Sequence, residues 1–167
     1  AGMTAKGSYF IDRHVAEKAV GMAMPLIETA MTQKEVGESG FLYIVVMDPS
    51  CTPADSSFEE AILYEHAVGD RAKWDADYAG FARAKARPSW LTGTDSAQVQ
   101  SRLAHRLRDG DSLLGGGVCL DGIVVAVSGA FPWYDDAFAL AIAAQLRALA
   151  RARGAAALEA HALTACA

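Results

Sequence analysis

Arg83, Lys85 and Arg87 stand at alternate positions of one short segment, Arg83-Ala-Lys-Ala-Arg87. An arginine fork matches a carboxylate bidentately, so this run is suited to capture of a carboxylate or propionate group. The same cations at a helix end also meet the negative pole of the helix dipole, a structural role that needs no ligand. Asp135 and Asp136 offer two adjacent carboxylates, either for proton transfer or as the cap of a helix. The triplet Gly115-Gly116-Gly117 either bares backbone N–H groups toward an anion or a flat ligand, or bends a strand. It is not a phosphate loop, because no Gly-Lys-Ser/Thr follows it and the next element reads as a strand.

The four histidines, His14, His66, His105 and His161, lie outside metal-site spacing of one another, so a histidine-rich zinc site has no support. A single axial iron ligand needs only one of them. His14 precedes the apolar stripe of the first predicted helix by one residue, His66 stands beside Glu65 near a strand end, and His105 lies among Arg102, Arg106 and Arg108. Trp74, Tyr78, Phe81, Trp90, Trp133 and Tyr134 are suited to wall a flat ligand, although aromatics at helical spacing also build cores. Neither Cys51 nor Cys119 has the neighbours of a nucleophile, and no catalytic set stands out.

The elements that must position these residues follow from periodicity. A helix is predicted over Ile11 to Thr32, with Val15, Ala19, Met22, Leu26 and Ala30 as its buried stripe and Pro25 as a kink. Phe41 to Met47 reads as a central strand, apolar on both faces, and Ala61 to Val68 as its hairpin-like partner, ended by Gly69-Asp70. Helices are expected over Asp70 to Arg87, stopped by Pro88, and over Asp95 to Arg108. Ser112 to Leu120 and Ile123 to Val127 form a hairpin whose Asp121-Gly122 turn is the type I′ pair, which needs positive φ at both central residues. A last helix opens at Asp135 or Asp136 and should stop at Arg147, Arg151, Arg153 and a C′ glycine, Gly154, leaving 155–167 as a low-complexity alanine-rich tail. Hairpin-linked strands pair antiparallel, so the expected fold is α/β of the α+β type: a mainly antiparallel central sheet of about four to five strands flanked by helices, not a doubly wound nucleotide fold.

The chain of 167 residues, 52% hydrophobic and 21% charged, suits one domain spanning 1–167 with a true core. A net charge of -5 draws nothing toward phosphate backbones or anionic membrane, so neither nucleic acid nor a membrane is an expected partner. Apolar runs are strand-sized, and three cysteines without a C-x-x-C pair fit a reducing cytoplasm, a leader removed before residue 1 being compatible with the same reading.

Three blocks, Tyr78 to Ser89, Leu114 to Ala130 with its Asp-Gly turn and Val127-Ser-Gly129 end, and Tyr134 to Ala139, together resemble the GlcG/HbpS-like family, also called the haem-degrading domain family. They cover about half the chain in matching order. Departures are Cys119, where many members carry proline, and a longer 48–75 region without the usual Asp-Ala-Gly-Gly turn. The resemblance implies a homo-oligomeric α/β domain that binds a small molecule, haem or a related tetrapyrrole in some members, beside catabolic enzymes in others. It points to a pocket of Gly115, Gly116, Gly117, Lys85, Arg87 and Asp135, with His14 as the leading iron ligand. The alternatives are an enzyme acting on a small carboxylate or aromatic catabolite, and an accessory subunit of a larger assembly.

Overall fold

The computed structural model describes residues 6–166, with side chains through Ala160. Its core is a four-stranded sheet of order β2-β1-β4-β3, antiparallel at every pairing, formed by β1 (Leu42–Met47), β2 (Ile62–Val68), β3 (Gly117–Leu120) and β4 (Ile123–Ser128). Every residue of β1 and of β4 is buried, as their unbroken apolar sequences require of strands covered on both faces. The β3–β4 turn is the expected type I′: Asp121 has φ 49° and Gly122 φ 83°. The first strand of that hairpin starts at Gly117, not Ser112. Gly116, at φ 129°, turns the chain there, while its carbonyl still accepts from Val127 at 2.9 Å.

Helices α1 (Arg13–Ala30) and α4 (Pro132–Cys166) cover one face of the sheet, and α2 (Tyr78–Thr92) covers the other. The α1 stripe is shifted from the expected one. Val15, Ala16, Ala19, Val20, Ala23 and Ile27 are buried, whereas Met22 and Leu26 face outward. Small alanines let α1 lie close against α4 and the sheet, which leaves the bulkier pair beside that seam.

Two predicted helix stops are overturned. Pro88 sits inside α2, which runs on to Thr92 and ends in a left-handed Gly93. The carbonyl that Pro88 leaves without a helical donor, that of Ala84, accepts instead from Ser112 N at 3.1 Å, so the proline costs no buried hydrogen bond. Gly154 is likewise helical within α4, carried through by good helix formers on both sides, and the tail continues as helix to Cys166. Further corrections are local. Asp77, not Asp70, caps α2, while Asp70 caps a separate 3-10 turn, Arg71–Lys73. The Asp95–Arg108 helix is a short α3 (Ser96–Arg102) followed by a 3-10 turn, Ala104–Arg106. The last helix starts at Pro132, a residue pre-set for the first turn, ahead of the aspartates.

Candidate functional site

The sequence-predicted residues fall in three places. In the first, α2, β4 and the start of α4 meet around a buried ion pair. Lys85 Nζ donates to Asp135 Oδ2 at 2.8 Å and to the Val127 carbonyl at 3.3 Å, and the two side chains are only 2% and 1% exposed. Asp135 Oδ1 accepts from Ala130 N at 2.9 Å, so the carboxylate also fixes the turn after β4. Burial pushes its pKa up to about 6, although Lys85 and the backbone N–H groups of Ala130 and Gly129 pull the other way. Asp136 accepts from Gly116 N at 3.0 Å, and burial raises its pKa too.

The glycine triplet explains how a lysine fits there. A Cβ on Gly116 would lie 2.7 Å from Val127 O and 2.9 Å from Lys85 Cδ, and one on Gly117 would lie 2.4 Å from Lys85 O. Gly116 and Gly117 therefore let the strand start press directly on α2. Gly115 is looser, with nothing nearer than 3.5 Å to such a Cβ. Lys85, Asp135, Gly116 and Gly117 are thus brought together, but they fill their own space and line none of the clefts described here.

Arg87 belongs to a second place, the outer side of α2. There a cleft of about 470 Å³ opens between α2 and the β2 edge, lined by Phe58, Glu59, Ile62, Glu65, Arg83 and Arg87 among others. Arg83 Nε and Nη2 donate to the two carboxylate oxygens of Glu65 at 2.6 and 3.0 Å, and that pairing raises the Arg83 pKa. Arg87 Nε donates to Asp111 at 2.8 Å and Nη2 to the Asp109 carbonyl at 3.1 Å. Sequence reasoning missed Glu65, Glu59 and Asp111 as members of this place. The alternation of β2 was a signal for Glu65, since it puts Glu65 on the α2 face and His66 on the other.

His14 is the third place. It is exposed in the first turn of α1, beyond the Asp12 cap, and its side chain makes no hydrogen bond or ion pair among the described residues. It follows an aromatic pair, Tyr9 and Phe10, whose centroids are 4.8 Å apart, and Arg13, which lies over the Tyr64 ring. His66 is half-buried beside the Tyr64 hydroxyl, and His105 is exposed. No group of three histidine, cysteine or acidic side chains is disposed for a metal among the described residues. Burial raises the pKa of both Cys51 and Cys119, the opposite of what an activated thiol needs.

An antiparallel four-stranded sheet with helices on both faces matches the fold that the GlcG/HbpS-like resemblance implies. The solved structures that share it include two proteins. Klebsiella pneumoniae protein ORFY, assigned to the DUF336 family, superimposes with a TM-score of 0.57 at 15% identity, over 83% of this chain and 91% of that one. A PduOC:heme complex superimposes with a TM-score of 0.51, also at 15% identity, over 83% of this chain and 94% of that one. No family model matches the chain. No curated protein matches it in sequence either.

Proposed function

We propose that this domain binds a small organic ligand rather than transforming one, and that the ligand is a haem-type tetrapyrrole held through His14. One observation carries the reading: a protein of the same fold, matched over most of both chains, is a haem complex. Three exposed side chains support the choice of His14. His14 is an unpartnered imidazole in an exposed first turn, Tyr9 in the preceding segment is 89% exposed, and Arg13 supplies a cation for a propionate. His14 would hold the iron of such a group, with Tyr9 available for an apolar contact and Arg13 for a propionate. Catalysis is less favoured, because the acid with the most displaced pKa, Asp135, is sealed with its lysine away from any described cleft.

The test is a hemin titration of the purified chain followed at the Soret band. A saturable shift that is lost in His14→Ala, and kept in His66→Ala and His105→Ala, is the expected result. A band that does not saturate, or one that survives His14→Ala unchanged, ends the haem reading.

Self-association is a second reading, favoured by the far half of α4. Between Arg151 and Ala160 that helix is exposed at all but Gly154, and at 1.5 Å per residue it projects by about 15 Å beyond its packed part. Leu158 there is 72% exposed, and Met22 and Leu26 add apolar surface on α1. Light scattering should report a homo-oligomer. A monomer at all concentrations removes this reading. No helix among the described residues is long and apolar enough to cross a membrane.

A further inference from the structure

We propose that the cleft between α2 and the β2 edge is a second binding site, separate from His14, for a small carboxylate with an apolar body, clasped by Arg83 and Arg87. The two arginines are four residues apart and so share one face of α2. Both line the same cleft, whose volume of about 470 Å³ is that of a small-molecule site. The concavity has a simple origin. Gly80 and Ala84, also four apart and also lining the cleft, project almost nothing from α2, so the space beside the arginines stays open. Phe58, buried in the core beneath, and Ile62 supply an apolar floor.

The forks are fixed before any ligand arrives. Glu65 takes Nε and Nη2 of Arg83, and Asp111 with the Asp109 carbonyl takes Nε and Nη2 of Arg87. Pre-paid ordering of long side chains is what makes an arginine pair effective toward a planar anion. The Nη1 group of Arg87 donates to nothing among the described residues, and the Arg83 side chain is 47% exposed. Of the two carboxylates lining the cleft, Glu65 is spent on Arg83, while Glu59 has no cation partner among the described residues and opposes an incoming anion. An adjoining cleft of about 350 Å³ shares Phe58, Glu59 and Arg87 and adds Trp90 and Arg108, which gives a longer ligand an aromatic wall and a third cation.

The experiment uses the full isotope-labelled chain and two probes of one shape, benzoate and uncharged benzamide, followed by NMR. Benzoate should move the Arg83 and Arg87 Nε–H signals and the Phe58 and Ile62 amides saturably, and benzamide should bind about tenfold more weakly, the scale of one lost charge-assisted hydrogen bond. Arg87→Gln should weaken benzoate by about the same factor, and Glu59→Gln should tighten it by roughly two- to threefold. Should Arg87→Gln melt early, Arg83→Gln at the more exposed fork takes its place. Equal binding of both probes, no saturation, or an unchanged benzoate affinity in the arginine variants overturns the proposal. Hemin separates this site from the haem reading. A chain that binds benzoate here and ignores hemin keeps the cleft and loses the tetrapyrrole, whereas benzoate that competes with hemin shows one site where two are claimed.

Discussion

On α2, Lys85 and Arg87 stand two residues apart and occupy opposite surroundings. Two steps of an α-helix turn the side chain by about 200°, so a basic run that looks like one cluster in sequence is divided between two faces. Arg83 and Arg87 line an open cleft, where water and salt screen the Arg83–Glu65 pair, while Asp111, the partner of Arg87, is only 1% exposed. Lys85 points at β4 and the turn into α4, where Asp135 is its partner and Gly116 and Gly117 exclude everything else. The helical period thus allots the same chemistry two tasks: the inner pair ties three elements together, and the outer pairs hold forks in place at a surface that solvent reaches.

The contrast is sharpest for the removal of one partner. Lys85→Met leaves Asp135 buried without its cation and should cost about 3–5 kcal/mol at pH 7.5, measured by urea denaturation. The cost should shrink on acidification, starting above about pH 6, because Lys85 holds the Asp135 pKa down and without it the carboxyl takes up a proton sooner. A loss under 1 kcal/mol at pH 7.5 would mean that water reaches the pair.

The same carboxyl sets a pH dependence. Its folded pKa is raised to about 6 from the ordinary 3.8 of an aspartate, so the folded state holds the proton more tightly than the unfolded chain does. The stability linked to this group is therefore fully present below about pH 4, is lost as pH rises through the window to about 6, and amounts to roughly 3 kcal/mol. Wild type should accordingly lose stability relative to Asp135→Asn between pH 4 and 6.5. A difference that is flat, or that grows in favour of wild type, would show that Asp135 is ionised throughout.

The glycines extend the comparison to the backbone. Gly117→Ala places a methyl 2.4 Å from the Lys85 carbonyl and should cost about 1–3 kcal/mol, while Gly115→Ala, with 3.5 Å of room, should stay within about 0.5 kcal/mol. Equal effects in thermal melts would deny that the strand start is seated on α2.

Much of the architecture was legible because it rests on local rules. The Asp121-Gly122 turn requires a left-handed pair that few other residues accept, and the unbroken apolar runs of β1 and β4 left them no exposed face. Pro88 and Gly154 misled for the same reason: each is a local stop signal overruled by something distant, Ser112 donating to the Ala84 carbonyl in one case and helix formers on both sides in the other. The inner site was half legible. Lys85, the glycines and Asp135 were each singled out, but the pairing of Lys85 with Asp135 spans 50 residues and is made by tertiary packing. Glu65 and Asp111 were not singled out, since a carboxylate 18 or 24 residues away carries no local sign of its arginine.

The smallest expected effect tests the outer half of the comparison. Arg83 is 47% exposed and Glu65 23%, and despite bidentate geometry a pair so open gains little over its hydrated ions. Arg83→Ala should therefore cost no more than about 1 kcal/mol, and a double-mutant cycle with Glu65→Ala should return a coupling of about 0.2–1 kcal/mol that fades as salt is raised to 1 M. A coupling above about 2 kcal/mol, indifferent to salt, would place Arg83 in the same class as Lys85, and the division of α2 into a structural face and a receptive face would fail.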